Sequence, residues 1–101
     1  MVKVIWTKRA FGQLERNIKY IKEEQGISYA EVVLNKILFS TAQLQGTPKM
    51  GKVEPLLEHK KSEYRFLIVW SYKIIYRVAT DRVVISRIFH TSRNPKKLKG
   101  I

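Results

Sequence analysis

Apolar residues along this chain follow two different periods. Phe11, Leu14, Ile18 and Ile21 recur every three or four positions, which is the spacing of one helix face. Ala30, Val33, Leu34, Ile37, Leu38, Thr41 and Leu44 form a second such stripe. Thr7 stands where a helix N-cap belongs. Gly26 is placed to stop the first helix, because glycine enters the positive-φ region at little cost. Ser28 and Glu31 make an S-x-x-E capping box for the second helix, and Gly46-Thr47-Pro48 ends it. Residues 8–45 therefore predict a helical hairpin with a very short connection, its apolar stripes serving as core.

Outside that hairpin the pattern is that of strands. Val2 to Trp6 reads as a short strand with imperfect alternation. Lys49 to Ser62 is irregular, broken by Gly51 and Pro55, with a short strand around Val53. Tyr64–Trp70, Tyr72–Ala79 and Arg82–His90 are then three runs rich in β-branched and aromatic residues. Trp70-Ser71 and Thr80-Asp81 are the candidate tight turns, neither carrying the favoured glycine. The expected fold is α+β. A three-stranded antiparallel meander is joined by the N-terminal strand at one edge, with the helices packed on one face. Residues 1–101 read as one domain, with 91–101 as a basic tail.

The turns set a register. With Thr80 and Asp81 as loop residues, Ala79 faces Arg82, Arg77 faces Val84, Ile75 faces Ser86 and Lys73 faces Ile88. One face then carries Tyr72, Ile74, Tyr76, Val78, Val83, Ile85, Arg87 and Phe89. It is the better core face, with Arg87 as its misfit. The other carries Lys73, Ile75, Arg77, Val84, Ser86, Ile88 and His90. Lys73, Arg77 and His90 would thus sit together. Two cations and an imidazole suit a phosphodiester, since cations stabilise charge on phosphorus and histidine exchanges protons near neutrality.

Charge narrows the class further. The 101 residues hold 20 Lys plus Arg against 8 Asp plus Glu, a formal net charge of +12. The excess is uneven, net +4 over residues 1–50 and net +8 over residues 51–101. No acid follows Asp81. So one-sided a charge points to an anionic counterpart. Arg65, Arg77 and Arg87 on the strands and Arg93, Lys96 and Lys97 in the tail are candidate contacts to nucleic acid or another target. Arg65 is also a candidate pair for Glu63 or Glu58. The absence of cysteine excludes disulfides, thiolate metal sites and Cys nucleophiles. With His59 and His90 the only histidines, a His-rich metal site is excluded too. No phosphate-binding glycine motif occurs, so no cofactor is expected. No membrane span or signal sequence is legible, and a cytoplasmic location is expected.

Three segments carry a resemblance to a known family. They are Trp6-Thr7-Lys8-Arg9-Ala10-Phe11-Gly12-Gln13-Leu14, then Tyr64-Arg65 through Tyr72-Lys73-Ile74-Ile75-Tyr76-Arg77-Val78, then Arg82-Val83-Val84-Ile85 through Arg87-Ile88-Phe89-His90-Thr91-Ser92-Arg93-Asn94-Pro95. In this order they resemble the RelE/ParE toxins of type II toxin–antitoxin (plasmid stabilization) modules. The resemblance implies a growth inhibitor neutralised by a cognate antitoxin, with which it would form a hetero-oligomer. One branch of the family cleaves mRNA on the ribosome. For that branch the resemblance implies Glu54, in Glu54-Pro55-Leu56, as base, Lys73 as phosphate clamp and His90 as acid. This chain departs from that pattern. Lysine stands for the commoner arginine at Lys73, losing the bidentate fork. Leu67 lies near the place of a further arginine, and Thr91 replaces a tyrosine. The other branch, ParE-like, poisons DNA gyrase. The exit Phe89-His90 with Arg93, and the stretch Ala10 to Leu14, look closer to it. The reading leans to gyrase, with the ribosome-dependent nuclease as its alternative. A non-toxic RNA- or ribosome-binding module is the third class.

Overall fold

The computed structural model describes residues 1–92, 98, 100 and 101. The elements run β1 (Lys3–Trp6), α1 (Lys8–Gln25), α2 (Ile27–Ala42), β2 (Lys52–Val53), β3 (Glu63–Val69), β4 (Tyr72–Val78) and β5 (Arg82–His90). Single 3₁₀ turns occupy Gln43–Gln45 and Pro55–Leu57. The fold is α+β as expected, with a five-stranded sheet in the order β1-β5-β4-β3-β2. The β3–β4–β5 meander is antiparallel, β1 runs parallel to β5, and β2 adds two residues to the far edge.

Local chemistry sets the hairpin. The Thr7 hydroxyl accepts from the Ala10 amide at 3.0 Å, capping α1. Gly26, at φ 95°, closes α1 and opens α2 with no further linker. Such a φ strains any residue with a Cβ. The capping box does not form: α2 begins at Ile27, so Ser28 lies inside the helix, and no side chain caps its start. The direct Gly26 junction leaves no extended residue at position 28 for a cap to use. Beyond β1 the edge of β5 is covered by α1, where the Gln13 side-chain oxygen accepts from the Ile88 amide at 2.9 Å.

The main core lies between the helices and one sheet face. Ala10, Leu14, Ile21, Ala30, Val33 and Ile37 pack on Val69, Tyr72, Ile74, Tyr76, Val83, Ile85 and Ile88. Tyr76 is fully buried, and its hydroxyl accepts from the Gly51 amide at 2.9 Å. A Cβ at Gly51 would collide with the Phe66 carbonyl and with that hydroxyl, so the loop closes only over glycine. Burial pushes the Tyr76 phenol up from its usual pKa.

The register near the turn is the expected one, Arg77 opposite Val84. It then changes. Tyr76 pairs with Ile85 but Ile75 pairs with Arg87, so Ser86 is an extra residue on β5. This is a β-bulge, and it inverts every side chain beyond it. Ile88 joins the helix-side core, and Phe89 moves to the opposite cluster with Leu57, Ile75 and Leu98. Arg87, opposite Ile75, leaves the helix-side core with it. The expected grouping of Lys73, Arg77 and His90 is thereby corrected: Lys73 pairs with Phe89, whereas His90 pairs with Tyr72 on the helix side.

Candidate functional site

The face away from the helices carries the candidate chemistry. Glu54 follows β2, where its amide donates to the Tyr64 carbonyl at 2.9 Å, and Pro55 starts the 3₁₀ turn behind it. The Glu54 side chain is 1% exposed and its Oε1 lies 2.8 Å from Lys73 Nζ. Lys73 Nζ also stands 4.4 Å from the centre of the Phe66 ring. Glu54 Oε2 is buried with no hydrogen-bond partner among the described residues. The two residues are therefore brought together, but as a mutually neutralising pair. A phosphate clamp already holding a carboxylate has little charge left for phosphate.

His90 is not brought to that pair. Its ring meets Tyr72 edge-on at 5.6 Å between centroids. Nδ1 accepts the Ser92 amide at 3.1 Å and lies 2.8 Å from the Ser92 hydroxyl. With Nδ1 accepting, the neutral ring carries its proton on Nε2. His90 lines an open cleft of about 610 Å³ beside α1, with Gln13, Arg16, Asn17, Tyr72 and Ser92. Burial raises the Tyr72 phenol above its usual pKa.

The remaining candidates divide by role. Arg65 pairs with Glu63 as the sequence suggested, and its Nη1 donates to the Gly51 carbonyl at 2.7 Å. It fastens the loop that ends at Gly51. The Arg65 guanidinium, with Lys49 nearby, holds the Glu63 carboxyl below its usual pKa. Arg77 is half-buried between Tyr64 and Val84 and makes no ion pair among the described residues. Arg87 is buried, and desolvation lowers its pKa. Arg93, Lys96 and Lys97 lie outside the described residues.

Two features escaped the sequence reading. The hairpin loop places Trp70 at φ 54°, a region most side chains avoid. Its ring lies 5.6 Å from Tyr29 on α2, and both remain substantially exposed. A tryptophan in a two-residue loop that favours glycine was the available signal. Phe11 and Leu38, expected in the core stripes, are instead exposed, because each lies at the edge of its helix's buried face, and Tyr20, Val32 and Phe39 are exposed as well. Among the described residues no cluster of His, Asp or Glu suits a metal, and no helix is long and apolar enough to cross a membrane.

A five-stranded sheet against a helical hairpin, with the catalytic candidates divided between its two faces, describes a small α+β protein. Comparison with known families makes this specific. Residues 4–95 match the ParE toxin of type II toxin–antitoxin system, parDE, and the chain belongs to that family. It is thus a ParE-like toxin, and a cognate antitoxin is its partner. A chain of the chromosomal ParDE toxin–antitoxin system from P. aeruginosa has a similar fold. Its TM-score is 0.72 at 22% identity, over 89% of this chain and 96% of that one. Nothing among curated proteins matches.

Proposed function

We propose that this toxin arrests growth by binding DNA gyrase, through the helical hairpin and the basic residues of its strands and tail, and that it performs no chemistry of its own. The observation that supports this most is the division of the catalytic candidates. Glu54 and Lys73 neutralise each other on one sheet face, while His90 belongs to the other. Acid, base and clamp must converge within hydrogen-bond reach of one phosphodiester to cleave RNA. The exposed apolar residues of α1 and α2 support a protein contact instead, since a partner that covers them removes apolar surface from water. The net charge of +12 favours an anionic partner such as a DNA-bound enzyme.

The test uses purified, antitoxin-free protein in two reactions. In gyrase supercoiling and cleavage-complex assays, inhibition or trapped cleaved plasmid is expected, and Lys73→Ala should change it little. In a reconstituted translation reaction, mRNA 5′ ends should be unchanged. New ends that require ribosomes and vanish in Lys73→Ala would replace this reading with the nuclease.

A further inference from the structure

Arg87 is taken out of water without a counter-charge. It is 6% exposed. Its Nη1 donates to the Ser86 carbonyl at 2.7 Å. Its Nε has no hydrogen-bond partner among the described residues. A buried charge left unpaired is among the costliest features a fold can hold. The chain's own acids do not answer it. All 8 acidic side chains, from Glu15 to Asp81, are among the described residues. The ion pairs they form go to Lys49, Arg65, Lys73 and Arg82.

A second cation makes the deficit larger. Arg9, near the start of α1, reaches the same place. A Cβ on Gly100 would lie 3.6 Å from Arg9 Nη1 and 3.8 Å from Arg87 Nη2, so both guanidinium groups converge on one small residue. Burial and the charge of Arg9 together hold the Arg87 pKa below its usual value. Two like charges so placed repel, and an anion between them reverses the sign of the interaction. Among the described residues no hydrogen bond reaches the Nε–Nη2 edge of Arg87. That edge is the side-on fork, which matches the two oxygens of a carboxylate.

We propose that Arg9 and Arg87 form a socket for a carboxylate side chain of the antitoxin, an Asp or Glu lying side-on to Arg87 with Arg9 closing over it. The proposal rests on the reading of this chain as an antitoxin-neutralised toxin. Burial of Arg87 favours a carboxylate over a nucleic-acid phosphate. A carboxylate arrives on a slender stem, whereas a phosphodiester brings a sugar on each side.

Two measurements on the full chain test it. In the first, the Arg87 Nε–H resonance of ¹⁵N-labelled protein is followed while sodium acetate or sodium phosphate replaces sodium chloride at constant ionic strength. A saturable shift with acetate, weakened in Arg9→Ala, is expected. No shift with acetate, or a shift with phosphate alone, overturns the socket. In the second, antitoxin affinity and Tm are measured for Arg9→Ala and Arg87→Met. Each variant should weaken antitoxin binding by about tenfold or more. Arg87→Met should also raise the Tm of the free toxin, because it removes an uncompensated charge while keeping volume. A merely structural Arg87 would lower that Tm instead. Affinities within about twofold of the parent, in a protein that still arrests growth and is rescued by antitoxin, overturn the proposal and leave the toxin reading intact. A parent protein that neither arrests growth nor binds antitoxin removes the toxin reading, and with it the antitoxin as occupant. The acetate titration then still decides whether the pair takes a carboxylate.

Discussion

The two faces of the sheet are built for different purposes. The helix side is mostly apolar. Ile74, Ile85 and Ile88 are fully buried there, and the hydroxyl of fully buried Tyr76 is satisfied by Gly51. The other side has a smaller apolar cluster of Leu57, Ile75, Phe89 and Leu98. Its described cover is a 3₁₀ turn and a few terminal residues, and Glu54, Lys73 and Arg87 stand around it. Each buried aliphatic side chain contributes about 1.5–3 kcal/mol, so the helix side carries most of the stability. The other face can then hold ionic groups that stabilise little or even cost stability. A single sheet thus separates what keeps the protein folded from what it presents to partners.

Inserting one alanine between Arg87 and Ile88 should break this separation most severely. With alternation shifted by one residue, Phe89 would turn toward the helices and Ile88 away from them. The chain is expected to lose its unique fold, seen as collapse of near-UV circular dichroism and of amide dispersion. A well-dispersed spectrum with Ile88 still protected would show that β5 absorbs the added residue in a second bulge. Next in size come Ile74→Ala and Ile75→Ala, adjacent in sequence and each 0% exposed. The first should cost about 3–5 kcal/mol and the second about 2 kcal/mol, because the thin cover over Ile75 can collapse into the space left. Urea unfolding measures both, and equal losses would mean that the two faces are equally well packed.

Smaller effects test the loop that reaches the helix side. Tyr76→Phe leaves the Gly51 amide without its partner and should cost about 1–3 kcal/mol, with faster hydrogen exchange at Gly51. Unchanged exchange would remove the hydroxyl from that role. The smallest effect concerns Glu63, whose carboxyl the Arg65 guanidinium holds below its usual pKa. A lowered carboxylate pKa contributes stability above the unfolded value, and that contribution is lost as pH falls through the folded one. Acid unfolding should therefore lose a small component below about pH 4.5, and Glu63→Gln should flatten it. The pair is partly exposed and so partly screened, and salt should flatten it as well.

Much of the architecture was legible along the chain. Helical spacing from Phe11 to Leu44, the stop at Gly26, the cap at Thr7 and three β-rich runs specified an α+β hairpin-and-meander, because local periodicity reports which face of an element is buried. Glu63 was one of two partners legible for Arg65, and the start of β3 at Glu63, which puts both side chains on one face, selects it. The relation between candidate site residues was not. Alternation carries a face assignment forward only until an extra residue interrupts it, and Ser86 leaves no compositional mark. The misfit of Arg87 on an otherwise apolar face was the single local trace of the bulge. Sequence by itself determined the elements, their order, the charge and the family resemblance, since these depend on short-range spacing and composition. Tertiary structure alone decided that Lys73 meets Glu54, that His90 faces the helices, and that Arg9 and Arg87 converge. Each depends on how strands register and on which side chains long-range packing takes out of water.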